Sequence, residues 1–495
     1  MPNNEFKEFT YAAKEYLNSR SIGDLRIYGR EIGLDNPTKM KKGELIDGIV
    51  AIFTGVLAPV PKSNKGAPIK NVKVDEEIVE KMAQLRVRYI AGNTPSTFNF
   101  ALERQRVREL NDWGLRLEDP DAEQVKQKLA EATEIHCGQL QNLNEVFYLL
   151  PLNGEDSDRK LLFSTALKEQ YGLREGDVIT CHAQRGNAAY MAVDVLTVNN
   201  RVVNTFKRTV FEQEEICAPT EKIALCGTTG ENSAVAKYLD YVLPLGKGQR
   251  ACVVGAPKTG KTKFLLDIAL AVKKNTQNLT LLVLLIDQAP EAVARFRSII
   301  PKENLLYTTY EDDPDRQVFI ADFLMKRAKS LTEMGEDVLL LVDSLNSLAR
   351  AYNDTDASSG GNNLTFGLES KTLQYVKKYF GSARCFEKGS LTMLASVSEQ
   401  TGNPADELLR VGLTAIASAE YRLSKELAQK RIYPSIDFVE SNLQQRELLQ
   451  TDLERDLEER ICSSVISKHG EESAVRALEQ AKDFSYFQKL IEDLS

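Results

Sequence analysis

The sequence predicts a multidomain α/β protein: an N-terminal helical unit, a small β-barrel and a larger doubly wound domain built on a parallel sheet. Three observations carry that expectation. The length of 495 residues exceeds one ordinary domain and fits about two to four. After Arg250, near-continuous apolar runs alternate with helical segments, the pattern of parallel strands buried on both faces. Before it, residues 135–200 carry short alternating or β-branched runs separated by turn signals, the pattern of a barrel.

Residues 4–55 hold three amphipathic stretches, 6–17, 25–32 and 41–53, with the breakers Asp35-Asn36-Pro37-Thr38 between the last two, so a small helical unit is expected. Residues 58–70, rich in Pro, Lys and Gly, read as a linker. Residues 74–134 are charged and helical in pattern, interrupted around Gly92-Asn93-Thr94-Pro95, and contain no motif. Barrel strands are expected at 136–143, 146–150, 178–182 and 189–198, with turns at Asn153-Gly154, Arg174-Glu175-Gly176-Asp177 and Arg185-Gly186-Asn187. Buried parallel strands are expected at 251–254, 279–286, 338–342 and 391–397. The amphipathic segment 447–494 is expected to pack as helix on the α/β domain. The resulting division is 1–56 helical domain, 57–134 linker and helical insertion, 135–204 barrel, 205–460 α/β domain and 461–495 C-terminal helical segment.

Hydrophobic residues at 42 % and charged residues at 27 % match an ordinary globular chain and exclude a mainly disordered or collagen-like one. No apolar run reaches the roughly 18 residues a spanning helix needs, and residues 1–10 lack the basic-then-apolar pattern of a signal peptide. A cytoplasmic protein with no membrane partner is expected. Its 7 cysteines, odd in number and without C-x-x-C spacing, fit a reducing compartment. A net charge of -8 argues, taken alone, against a general nucleic-acid binder. The charge is segregated, however: residues 1–73 hold 12 Lys+Arg against 8 Asp+Glu, net +4, and the remainder carries −12.

The sharpest motif is Gly255-Ala256-Pro257-Lys258-Thr259-Gly260-Lys261-Thr262, a G-x-x-x-x-G-K-[ST] phosphate loop between an expected strand and an expected helix. Glycines let backbone N–H groups wrap phosphates, and the helix N-terminus adds positive potential. Lys261 would reach the β/γ-phosphates, and the Thr262 hydroxyl would serve Mg²⁺. An acid of the Walker B type should end a later parallel strand, and Asp343, after Val338-Leu339-Leu340-Leu341-Val342, stands there to hold the Mg²⁺ of a bound ATP. Asp287 also ends an apolar run.

Four further segments carry a family resemblance. Leu284 to Glu291 (LLIDQAPE), Asp343 to Asn353 (DSLNSLARAYN), Tyr379 to Arg384 (YFGSAR) and Gln429 to Asp437 (QKRIYPSID) resemble the bacterial transcription termination factor Rho family in order and spacing. The likeness runs from about residue 135 to the C-terminus, and 25–49 is more weakly similar to that family's N-terminal helical unit. The resemblance implies an oligonucleotide-binding (OB, cold-shock-like) barrel that holds RNA and a RecA-type P-loop motor that hydrolyses ATP between the subunits of a homohexameric ring. A ring mixed with authentic Rho subunits is the alternative assembly, and RNA polymerase is a further candidate partner.

Carried over residue by residue, the resemblance assigns nucleotide binding to Lys258, Thr259, Gly260, Lys261, Thr262 and Tyr433, the last as an aromatic stacked on adenine, and the Walker B role to Asp343. Other positions depart from the family. Gln288 replaces the glutamate that activates water, and a neutral amide accepts no proton, although glutamine orients water in small GTPases. Gln444 replaces the arginine finger, a loss that costs ~10³ or more in rate, with Arg446 two positions away as a candidate substitute. Asn362 and Pro404 replace the lysines of two pore loops, and Ser347 replaces an arginine after the Walker B acid. Together these changes imply a chain that binds nucleotide and hydrolyses it slowly or not at all. Glu291 and Glu399 are the carboxylates that could take over the base role.

In the barrel, Phe147 and Tyr148 fall where the family stacks RNA bases, with Leu149 in place of the second aromatic. Half a stacking platform implies weaker binding, since each stacked base is worth roughly 1–3 kcal/mol. Ordinary strand aromatics remain an equal reading. His136-Cys137 and Cys181-His182 suggest zinc only superficially, because adjacent strand residues point to opposite faces. Lys39-Met40-Lys41-Lys42 reads either as a nucleic-acid contact or as a solvated helix face. Two other function classes compete with the leading one: a pseudo-ATPase interaction protein whose nucleotide only stabilises assembly, and a rotary-synthase-type ATPase subunit, against which the 343–353 and 429–437 segments speak.

Overall fold

The computed structural model describes residues 5–34, 36–53, 57, 78, 81–82, 134–154, 160–185, 190–203, 208–227, 232–276, 278–357, 364–365 and 368–495. Two compact units divide the chain, Met1–Gln124 and Val125–Ser495. In the first, helices Glu5–Asn18, Ile22–Glu31 and Lys42–Phe53 match the expected stretches to within a few residues. Ser21 caps the second helix by accepting from the Asp24 amide at 3.2 Å. Their apolar faces meet around Leu17, Leu25, Tyr28, Leu45 and Ile49, and Ile78 and Met82 of the expected insertion join that core. Apart from Ile78, Lys81 and Met82, residues 58–133 lie outside the described residues.

The second unit begins with six strands: β1 Glu134–Leu143, β2 Val146–Leu150, β3 Leu161–Phe163, β4 Val178–Arg185, β5 Tyr190–Val198 and β6 Arg201–Val202. They run in the order β3-β2-β1-β4-β5-β6, and a further β3–β5 pairing closes the sheet into a barrel. Four of these strands were expected. The closing strand β3 was not, because three residues are too short to show a period. Leu140, Leu149, Phe163, Ile179 and Val195 fill the interior.

The α/β domain follows: β7 Arg250–Gly255, β8 Thr280–Gln288, β9 Leu305–Thr309, β10 Asp337–Asp343, the short hairpin β11 Leu364–Thr365 and β12 Leu368–Glu369, β13 Arg384–Cys385, β14 Ser390–Ser398, β15 Ala419–Leu423 and β16 Ile436–Leu443. The sheet order is β16-β15-β7-β14-β10-β8-β9, with β13 on the side of β14. All pairings from β9 to β15 along that path are parallel, and β16 is antiparallel to β15. Each expected parallel strand is present, and the run of Val and Leu on β7, β8, β10 and β14 is buried because helices cover both faces. One face packs against helix Lys261–Asn275 and the C-terminal residues Leu457, Ile461, Leu478 and Phe487. The other packs against helices Pro314–Glu333, Leu345–Ala357 and Ser370–Phe380. The C-terminal segment therefore packs as helix on this domain, and Lys237 Nζ ties it down by donating to the carbonyls of Leu478 (3.0 Å) and Glu479 (3.1 Å).

The barrel sits on helix Pro314–Glu333. Gln139 Nε2 donates to the Phe323 carbonyl at 2.7 Å. Gly176, at φ +94°, comes so close that an added Cβ would lie 2.2 Å from the Lys326 carbonyl oxygen. Beside it Arg208 forms a buried pair with Asp177 at 2.7 Å and with Glu333 at 2.6 Å, while Ser330 Oγ donates to Asp177 at 2.5 Å. Every charge in that cluster has a partner, which is the condition under which burial of charge is tolerated.

Candidate functional site

Strands β7, β14, β10 and β8 end side by side, and the loops at their carboxyl ends form the site, where open parallel sheets bind ligands. Gly255 closes β7, and the chain turns through Ala256–Gly260 into helix Lys261–Asn275. Lys258 and Gly260 adopt positive φ, 67° and 99°. Thr259 Oγ1 donates to the Ala256 carbonyl at 2.8 Å, and Ser435 Oγ donates to the Thr259 carbonyl at 2.7 Å, so the loop is held in shape. Gly260 caps the helix without a side-chain bond, which leaves first-turn N–H groups to an anion. Lys261 Nζ donates to the carbonyls of Gly255 (2.7 Å) and Ala256 (2.9 Å). Burial pushes this ammonium down to about 8, against the opposing charges of Asp343 and Glu399.

Asp343 ends β10 and is buried. Its Oδ2 accepts from Thr262 Oγ1 at 2.6 Å and its Oδ1 from Ser396 Oγ at 2.5 Å. This all-oxygen pairing of a hydroxyl with a carboxylate fits a hard divalent cation such as Mg²⁺. Gln288 ends β8, and its Nε2 donates to the carbonyls of Asp343 (3.2 Å) and Ile286 (3.3 Å). Tyr433 stands over Gly260, with an added Cβ on that glycine falling 3.3 Å from the ring, in a cleft shared with Val235, Lys263, Leu423 and Pro434. Lys258 to Thr262, Asp343, Gln288 and Tyr433 are therefore gathered at one end of the sheet.

Gln444 is not among them. It follows the edge strand β16, is exposed, and is fixed through its backbone N–H to the Ser418 carbonyl at 2.9 Å. Arg446 lies 3.7 Å from Glu458 and 3.6 Å from Glu459, partners within its own chain. Glu291 is exposed in the first turn of helix Pro290–Arg297. Ser347 Oγ takes a 3.1 Å bond from Arg350, whose guanidinium also stands 3.8 Å from Asp287. Pro404 opens helix Pro404–Thr414, and Asn362 lies outside the described residues.

Three groups had escaped the sequence reading. Ser396 is fully buried inside the apolar run of β14, and a hydroxyl in such a run, which Thr392 shares, was the available signal. Asn346 accepts from the Ser398 N–H at 2.8 Å and donates to Asp406 at 2.7 Å, linking the helix after Asp343 to the end of β14 and to helix Pro404–Thr414. Arg422 on β15 meets Glu399, the residue after β14, at 3.1 Å, a contact that no local pattern announces.

In the barrel, Phe147 pairs with Phe163 across the sheet and packs on the barrel core, with Lys168 Nζ 5.0 Å from its ring centre. Tyr148 points the other way and packs with Leu143 on the core of the α/β domain. His136 and Cys181 are cross-strand partners. The imidazole lies against Tyr190, and burial pushes the Cys181 thiol up to about 12. Among the described residues no group of three or more His, Cys, Asp or Glu is placed to hold a metal ion, and no helix is long and apolar enough to cross a membrane.

A phosphate loop on a central parallel strand, with an acid two strands over, beyond β14, that bonds its threonine, defines a RecA-like nucleotide-binding domain. The model of the ATP synthase alpha/beta family nucleotide-binding domain matches residues 236–442. Transcription termination factor Rho of Streptomyces coelicolor is 34% identical over 338 residues, covering 67% of this chain and 78% of that protein. Rho of Escherichia coli K12 is 33% identical over 288 residues, 57% of this chain and 68% of that protein. Among solved structures, a prototypical ATPase of the type III secretion system of pathogenic bacteria has a TM-score of 0.48 at 17% identity, covering 61% of this chain and 94% of that one. The chain belongs to the transcription termination factor Rho family.

Proposed function

We propose that the chain is an ATP- and RNA-binding ring protein that acts in transcription termination in the cytoplasm, and that it hydrolyses ATP more slowly than a relative with a glutamate at 288 and an arginine at 444. The observation that carries this reading is the pair of contacts to Asp343. Thr262 shares a 2.6 Å hydrogen bond with its carboxylate, a pairing that supports a Mg·ATP site, while a neutral Gln288 amide donates to the Asp343 carbonyl. Lys258, Thr259, Gly260 and Lys261 hold the phosphates, Thr262 and Asp343 hold Mg²⁺, and Tyr433 stacks on adenine. Gln288 orients water without taking its proton.

Family membership supports a homohexamer, in which Gln444, exposed beside the edge strand, faces a neighbour's nucleotide without a charge to offer. The half-buried Phe147 with Lys168 above it supplies a single cation-flanked ring for RNA in the barrel. Measuring ATP turnover with and without pyrimidine-rich RNA tests this reading: slow turnover that stays above the Lys261→Ala background and that RNA raises little, with micromolar or tighter Mg·ATP binding lost in Lys261→Ala, is expected. Vigorous RNA-stimulated turnover abolished by Lys261→Ala would refute the slow-hydrolysis part. Absence of salt-dependent RNA binding would refute the RNA part.

A further inference from the structure

We infer that Glu399 is the residue that takes the proton of the attacking water, which Gln288 orients, in whatever hydrolysis this chain performs, an inference that rests on the nucleotide site proposed above. Glu399 directly follows β14, the strand beside β7. Its backbone N–H donates to the Gly255 carbonyl at 3.2 Å, the same oxygen that accepts from Lys261 Nζ at 2.7 Å. The glutamate is thereby anchored to the first residue of the phosphate loop and sits next to the lysine that grips the terminal phosphates. Its charge acts on that lysine together with the charge of Asp343.

The side chain is aimed and held. Ser398 and Leu423 flank Gly255 on either side in the sheet, and Glu399 reaches across the end of β7 to Arg422. Arg422 Nη1 lies 3.1 Å and Arg410 Nε 3.9 Å from one carboxylate oxygen, Oε2. Among the described residues the hydrogen bond to this carboxylate falls on Oε2 and none falls on Oε1. One oxygen thus fixes the orientation and the other remains for a water, the arrangement of a base oriented by a third group. The arginines do not neutralise it, because Arg422 also pairs with Glu420 (3.2 Å) and Glu440 (3.6 Å), and Arg410 also pairs with Glu407. Four carboxylates share two guanidiniums.

The other acids near the loop are committed elsewhere. Both oxygens of Asp343 accept hydroxyl protons from Thr262 and Ser396, Asp287 faces Arg350, and Glu291 is exposed on its helix. In the proposed step the water oxygen bonds to the γ-phosphorus, the bond from that phosphorus to the β–γ bridging oxygen breaks, and its electron pair leaves with ADP. The water's proton passes to Glu399 Oε1 and then to the released phosphate.

Glu399→Gln keeps an oxygen for Arg422 and removes only the base. Single-turnover hydrolysis of Mg·ATP, affinity for a non-hydrolysable ATP analogue and thermal stability are measured on wild type, Glu399→Gln, Glu399→Ala and Lys261→Ala. A fall of about 10²-fold in turnover for both Glu399 variants, to the Lys261→Ala background, with analogue affinity within about threefold of wild type, is the expected result. Turnover retained within about threefold in Glu399→Gln overturns the inference, and so does loss of analogue affinity in step with turnover, which marks a structural role. Wild-type turnover no greater than that of Lys261→Ala overturns it while leaving nucleotide binding intact. Failure of the wild type to bind the analogue defeats the nucleotide-site reading itself.

Discussion

Thr262 and Asp343 share a hydrogen bond of 2.6 Å although 81 residues separate them, and Ser396 completes the arrangement by donating to the other oxygen of the same carboxylate at 2.5 Å. The β7, β10 and β14 ends bring these three side chains together. Removing the carboxylate charge should strike the cation before the nucleotide. Asp343→Asn is expected to abolish the Mg²⁺-dependent part of ATP affinity, at least about tenfold, while binding in EDTA changes little; calorimetric titration in each condition separates the two.

Ser396→Ala leaves a buried carboxylate one donor short. A cost of about 1–3 kcal/mol in unfolding free energy is expected from denaturant titration, with m unchanged. A stability equal to wild type would show that Asp343 is satisfied without Ser396.

Lys261 offers a pH-dependent signature. Its ammonium titrates at about 8 because it is buried, below the ordinary value of 10.5, and phosphate favours its charged form. Nucleotide affinity should therefore fall as pH rises from about 7 to 9, approaching one proton taken up per nucleotide bound above pH 8. Titrations in buffers of differing ionisation enthalpy count that proton, and Lys261→Ala should lack it. Without nucleotide the sign is opposite: burying the charged lysine costs stability at neutral pH, and the cost is relieved as pH rises from about 8 toward 10.5.

The cluster under the barrel predicts a structural effect without a catalytic one. Arg208→Met strands the buried Asp177 and Glu333 carboxylates, and a loss of about 3–5 kcal/mol in unfolding free energy is expected. Phosphate-loop binding of the ATP analogue in the folded fraction should be unchanged.

Local pattern explains what could be read beforehand. The strands β7, β8, β10 and β14 announced themselves as apolar runs because both of their faces are buried, and the phosphate loop did so because its chemistry lies in eight consecutive residues. Asp343 followed as the acid at the end of such a run. The Arg422 contact with Glu399 and the Ser396 contact with Asp343 were hidden, since the first spans the end of β7 between β15 and the residue after β14, the second joins neighbouring β14 and β10, and neither placement shows until the order β15-β7-β14-β10 is known. Phe147 and Tyr148, adjacent in sequence, looked like parts of one platform. The pleat of β2 sends the first to the barrel core and the second to the α/β domain. The overall acidity was a poor guide to family, because the residues that define the site are few.

The central claim is that neutral side chains at 288 and 444 slow hydrolysis in an otherwise intact nucleotide site. The most direct measurement is RNA-stimulated ATP turnover of the wild type beside Gln288→Glu/Gln444→Arg. A rise of about 10³-fold or more in the double variant, with unchanged analogue affinity, is the predicted result. Equal turnover in the two proteins, or a wild type already as fast as the restored variant, would contradict it.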